Sequence, residues 1–137
     1  MNTKFGELVL PPQPDFGYTE DIVLTGKDLP KAPEWSGTLQ YEHTFDLANG
    51  CTITPRLYTK ISAGFWNTHE IYLPGAWTDS YHMSDFYLTW TSADALYSIS
   101  MWGKNLENSE VTDYVFPIYR RIIMEPRTTG ITFSTRF

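Results

Sequence analysis

Two histidines sit where a strand-like alternation otherwise places apolar side chains. His43 falls between Tyr41 and Phe45, and His82 shares parity with Phe86, Leu88 and Trp90. An imidazole enclosed by apolar groups tends to lose its charge, which leaves a neutral base able to move a proton near pH 7. With Tyr41 beside them, His43 and His82 are candidate catalytic residues for isomerisation, cyclisation or lyase-type cleavage, reactions that need only a base, a donor and an enforced substrate geometry. Phe86, Trp90, Tyr97 and Met101 would line an apolar, aromatic substrate pocket, with Trp66 closing over it. The bland reading of each histidine is a ring satisfied by a neighbouring tyrosine or backbone group. Trp66, His69 and Glu70 fall in "AGFWNTHEIYLPGAWTD", a loop that either acts as a lid carrying an acid/base pair or packs over the end of the fold.

Other chemistries are excluded by what is missing. Cys51 is the single cysteine, so there is neither an internal disulfide nor a thiol pair for zinc. His43, His69 and His82 lack the close spacing of a zinc site, and no metal is expected. "GKDL" and "GKNL" lack the upstream glycine of a phosphate-binding loop, there is no Gly-x-Ser-x-Gly elbow, and no cofactor is implied. The net charge is -6, with no basic run longer than Arg120-Arg121, which argues against nucleic acid as a partner.

The elements that would position these residues are strands. In "SGTLQYEHTFDL", Leu39, Tyr41, His43 and Phe45 share one face and Gln40, Glu42, Thr44 and Asp46 the other. "ANG" turns the chain, and "CTITPRLYTKIS" returns with Ile53, Leu57 and Ile61 on one parity. Pro55 predicts an edge strand or a bulge. "SYHMSDFYLTWTS" and "LYSISMWGKN" form a second hairpin about a short turn at residues 93–95, "VFPIYRRIIM" predicts a further strand, and "TGITFSTRF" closes the chain. Residues 1–35 are rich in Pro and Gly and wrap rather than build, with Glu7 to Leu10 and Ile22 to Leu24 extended. No stretch shows helical periodicity. The expectation is a single all-β domain over residues 1–137, a small antiparallel up-and-down barrel of about six to eight strands.

Three stretches in order carry a resemblance: "APEWSGTLQYEHTFDLANG", "LTWTSADALYSISMWGKNL" and "PRTTGITFSTRF". An Ala-Pro-x-Trp opening, a Trp-Gly-x-Asn-Leu strand end and a Pro-Arg-x-x-Gly strand with a terminal Phe resemble the last strands of TonB-dependent outer-membrane receptors. The resemblance spans roughly residues 24–137. It implies strands of a barrel of about twenty-two, uptake of siderophores, glycans or other organic nutrients, and a role for Phe137 in insertion.

Two readings follow, and they differ in which face is inside. A stand-alone soluble barrel would turn Leu39, Tyr41, His43, Phe45, Leu57, Phe86, Leu88, Trp90, Tyr97, Ile99, Met101 and Phe133 inward around a small apolar or aromatic molecule, which it would carry or transform. With no signal peptide visible, such a protein would be cytoplasmic, and a homodimer could form along its strand edges. A receptor segment would instead face the same residues to lipid, in the outer membrane.

Overall fold

The computed structural model describes residues 4–16, 18–68, 73–116 and 120–136. Among the described residues the chain forms twelve strands: β1 Val9–Leu10, β2 Ile22–Val23, β3 Ser36–Glu42, β4 Phe45–Asp46, β5 Thr52–Ser62, β6 Phe65–Trp66, β7 Trp77–Thr78, β8 Tyr81–Thr91, β9 Tyr97–Lys104, β10 Thr112–Val115, β11 Arg121–Ile123 and β12 Thr128–Thr135. Among the described residues the only helical element is a three-residue 3-10 turn at Pro14–Phe16. The all-β expectation holds, and every strand pairing among the described residues is antiparallel.

The chain forms two compact units. One is an antiparallel sheet in the order β12-β9-β8-β5-β3, with β4 also on β5. The long central strands β5 and β8 pair over their whole length, from Thr52↔Thr91 to Ser62↔Tyr81. Among the described residues no pairing joins β12 to β3, so the sheet is open at both edges.

Pro55 does not lie on an edge strand. It sits in β5, between β3/β4 and β8, and the ladder gives way around it on one side only. The backbone N–H of His43 donates to Pro55 O at 3.3 Å. A proline has no N–H to return to the His43 carbonyl, so the reciprocal bond of that antiparallel pair is never made. The strand expected to run unbroken from Ser36 to Leu47 is therefore split into β3 and β4. Side chains bridge the gap: the hydroxyls of Thr44 and Thr54 are 3.0 Å apart.

Both hairpin turns at one end of the sheet place a left-handed residue at the third position of the loop, although three residues lie between the closing pair Leu47 and Cys51 and four between Ser92 and Tyr97. At residues 47–51 the N–H of Gly50 donates to Leu47 O, that of Leu47 donates to Cys51 O, and Gly50 takes φ +82°. Asn49 is not in the left-handed region; its side chain accepts from the N–H of Cys51 at 3.1 Å. The Asn-Gly pair thus works in a three-residue loop with glycine at the left-handed position. At residues 92–96 the same position falls to Ala95, at φ +55°. Ser92 Oγ donates to Asp94 at 2.6 Å, and Leu96 N–H donates to the same carboxylate. Those two bonds hold the Asp94 carboxyl below its ordinary value. Because an alanine pays for the left-handed conformation and a glycine does not, Ala95→Gly is expected to stabilise the sheet by about 0.5–1 kcal/mol, read as a higher denaturant midpoint.

The second unit comprises the described residues of 1–35, 63–80 and 111–124. It is held by short ladders, β1 with β2, β6 with β7 and β10 with β11. "VFPIYRRIIM", expected to be one strand, instead contributes the end of β10 and all of β11, which pair with each other; residues 117–119 lie outside the described set. A small cluster of Leu73, Ala76 and Val115 packs against Trp66. The fully buried Asn67 ties the ladders together, its Nδ2 donating to Gly75 O and to Thr78 Oγ1, both at 3.0 Å. Thr78 Oγ1 passes the chain on by donating to Thr112 O at 2.7 Å.

Candidate functional site

Register assigns every sheet residue to a face. One cross-strand row reads Phe45, Ile53, Trp90, Ile99 and Phe133; the next reads Pro55, Leu88, Met101 and Ile131; a third reads Tyr41, Leu57, Phe86, Gly103 and Thr129. This face is apolar almost throughout. On the other, the rows are Glu42, Arg56, Tyr87, Trp102, Gly130 and Thr54, Thr89, Ser100, Thr132.

Burial runs opposite to what an apolar interior requires. In β9, Tyr97, Ile99 and Met101 are exposed while Ser98, Ser100 and Trp102 are half-buried. Met101 is 54% exposed, Phe133 63% and Ile131 73%. The inward-facing apolar lining expected of a soluble barrel is therefore the more exposed face of this sheet. Phe86 and Met101 do line a shallow concavity of about 560 Å³, with Leu88, Gly103, Leu106 and Ile131, but it lies on that open face. Trp90 and Tyr97 share the face at its turn end, where Tyr97 stacks on Phe133 with centroids 6.3 Å apart.

The candidate bases are not brought together. His43 lies in the gap opposite Pro55, its ring edge-on to Phe45 at 4.4 Å, and His82 pairs with Ile61. Six residues of β5 separate those two partners, roughly 20 Å at 3.3 Å per residue. Tyr41, 60% exposed, neighbours His43 and not His82. The His82 side chain is 64% exposed, and its Nε2 is 3.8 Å from Glu107 Oε1. Trp66 belongs to the other unit. His69, Glu70 and Phe137 lie outside the described residues. Among the described residues no three His, Cys, Asp or Glu side chains converge as metal ligands would.

The polar face is organised by charge and aromatic contacts. Arg56 reaches Glu42 at 3.8 Å and lies 5.7 Å from the Tyr87 ring centroid; Lys60 lies 5.8 Å from that of Tyr81. Trp102 covers Gly130, where a Cβ would come within 2.4 Å of the indole, and its Nε1 donates to Thr132 Oγ1 at 3.2 Å. A bare glycine in an edge strand is thus roofed by a cross-strand aromatic, a recognised way of pinning register. The tryptophan of the Trp-Gly motif and the glycine of the Pro-Arg-x-x-Gly motif are one contact.

Beyond Gly103, the chain leaves β9 through a turn built on Asn105. This residue is 1% exposed, with φ +48°. Its Nδ2 donates to Ser109 O at 3.0 Å and Glu125 O at 2.9 Å, and its Oδ1 accepts from Ser109 N–H at 2.9 Å. The turn then caps the unpaired end of β8: Leu106 N–H donates to Ser84 O, and Glu107 accepts from Ser84 N–H at 2.8 Å. Burial alone would raise the Glu107 carboxyl, but hydrogen bonds from Ser84, aided by nearby His82, outweigh it and hold the group below the usual glutamate range. A depressed carboxyl contributes stability above its unfolded value, and that stability is lost as pH falls through the folded one. The thermal midpoint of the wild type should accordingly exceed that of Glu107→Gln near neutral pH, with the gap closing as pH falls below the usual glutamate range. A gap independent of pH would exclude this role for the carboxylate.

A second concavity, of about 450 Å³, lies within the loop-rich unit and is lined by Lys4, Asp28, Glu34, Gly64, Trp66 and Trp77 among others. Trp66 and Trp77 meet edge to face, centroids 5.1 Å apart at 73°. Trp77 packs on Gly64, where a Cβ would stand 2.5 Å from the ring, and its Nε1 donates to Asp79 at 3.0 Å. Sequence reading placed Trp66 and Trp77 in one aromatic-rich loop over an opening but gave a site role to Trp66 alone and missed Asp28 and Glu34; Gly64, two residues before Trp66, is where the missing side chain seats Trp77.

Comparison of the chain with protein-family models, curated proteins and solved structures finds no match.

Proposed function

We propose that the sheet is a section of a transmembrane β-barrel wall, apolar face to lipid and polar face to a water-filled lumen, in a nutrient-uptake receptor of the TonB-dependent type in the outer membrane. The observation that carries this reading is the inverted burial of β9, with Tyr97, Ile99 and Met101 more exposed than Ser98 and Ser100. Water would penalise such a surface by about 25 cal/mol per Å², whereas lipid does not.

Connectivity supports it. Tight turns at 47–51 and 92–96 join strands at one end of the sheet, while the long connections, 63–80 and 105–127, both leave from the other. Short turns on one side and long loops on the other are the habit of outer-membrane barrels. The apolar positions of β5 from Ile53 to Ile61 span roughly 26 Å along the strand, which at a tilt of about 40° crosses about 20 Å of the roughly 25 Å apolar band of such a barrel. Phe45, Trp90, Tyr97 and Phe133 would form the aromatic girdle at the turn end. The enclosed isomerase, cyclase or lyase site draws no comparable support, because His43 and His82 stand apart and exposed.

Nitroxide labels on Ile99→Cys, Ser100→Cys and Met101→Cys, in a Cys51→Ala background reconstituted in bilayers, test the orientation. Positions 99 and 101 should be relaxed by oxygen and position 100 by an aqueous nickel chelate. Uniform access of the nickel chelate to all three would exclude lipid contact, and burial of 99 and 101 from both reagents would restore the apolar-interior barrel.

A further inference from the structure

The concavity of the loop-rich unit has the chemistry of an organic-cation site. Two indoles set nearly at right angles make two walls of an aromatic corner, and Trp77, 46% exposed, is held in place by its seat on Gly64 and its bond to Asp79. An indole face attracts a cation through its ring quadrupole, tryptophan more strongly than the other aromatics. Asp28 and Glu34 line the same space, and neither has an ion-pair partner among the described residues. Among the described lining residues, these two carboxylates stand with one ammonium, that of Lys4.

We infer that this corner binds a small organic cation, an ammonium group carrying apolar substituents, with the charged head against Asp28 and Glu34 and the apolar part on Trp66 and Trp77. An anionic ligand would meet two carboxylates, and a neutral aromatic would leave them without a counter-charge. The volume, about 450 Å³, suits a compact ligand. The inference stands on the loop-rich unit alone and does not depend on the sheet facing lipid.

The test uses the full chain in detergent micelles, with 15N-labelled tryptophan indoles assigned through Trp66→Phe and Trp77→Phe. Benzyltrimethylammonium is the probe, benzyl alcohol its neutral counterpart and phenylacetate the anion. The probe should shift the Trp66 and Trp77 signals and bind about tenfold more tightly than benzyl alcohol, with phenylacetate weaker still. Asp28→Asn with Glu34→Gln should weaken it about fivefold, as should raising salt from about 0.05 to 0.5 M. Equal binding of the cation and benzyl alcohol, affinity unchanged in the double variant, or shifts confined to Trp90, which would mark partition into the micelle, would each overturn the inference. If the double variant loses signal dispersion, Glu34→Gln alone and the salt titration of the wild type decide.

Discussion

Met101→Arg should lower the stability of the bilayer-folded protein by about 2–4 kcal/mol, while Ser100→Arg, one residue away, changes it by less than about 1 kcal/mol. Met101 stands in the row with Leu88 and Ile131, near the middle of the apolar face, where a guanidinium would have to enter hydrocarbon. Ser100 lies between Thr89 and Thr132 on the polar face, where an arginine meets hydroxyls and water. Urea titration of the two variants and the wild type in phospholipid vesicles, followed by tryptophan emission, measures the contrast. In a soluble barrel with Met101 inside, both the medium and the result would differ: the protein would fold without lipid, and vesicles would add no stability. Equal costs at the two positions would remove the distinction between the faces and with it the membrane reading.

Asn105→Ala is expected to cost about 2–4 kcal/mol. Three hydrogen bonds of a buried side chain disappear, leaving the Ser109 N–H and the Ser109 and Glu125 carbonyls without partners. An alanine must also hold φ +48° without the local hydrogen bonding that makes asparagine tolerant of the left-handed region. Asn105→Gly separates the two effects, since it relieves the backbone but not the lost bonds, and should recover about 1 kcal/mol. Asn105→Asp keeps the acceptor and loses both Nδ2 donors, so it should fall near the alanine variant. Denaturant midpoints for the three variants give the ordering. If alanine and glycine prove equally mild, the turn is held by its backbone and not by this side chain.

The long hairpins were legible because strict alternation runs through 52–62, 81–91 and 97–104, and nothing but a strand has that period. Which face is the more exposed was not legible, since the same parity serves a buried core and an open face; the relative exposure of Ile99 and Ser100 appears only in the folded sheet. Pro55 was readable as a disturbance, at an edge or as a bulge; which of the two was not, because proline's exclusion from central strands is a tendency that a ladder broken on one side evades. The loop-rich unit was legible only in part: Glu7 to Leu10 and Ile22 to Leu24 were read as extended, and β1 and β2 fall within them, but ladders of two to four residues show no period, and the unit's order comes from Asn67 and Thr78 rather than from alternation. The site residues divided similarly. Phe86, Trp90, Tyr97 and Met101 were rightly placed on one face by parity, whereas the distance between His43 and His82 depends on register along β5, which composition does not encode.

The sheet is a meander in which each strand reverses the one before it, so β3, β8 and β12 point one way and β5 and β9 the other. Its two free edges are consequently of the same polarity. Copies arranged head to tail would bring β12 beside β3 in parallel, against the pattern of every pairing in the molecule. A two-fold pair along one edge would be antiparallel, but it would send the long loops of the two copies to opposite sides of a membrane. Were the sheet a section of a barrel, closing it with antiparallel neighbours on both flanks would take an odd number of additional strands, an arrangement that a ring of identical copies facing the same way does not supply.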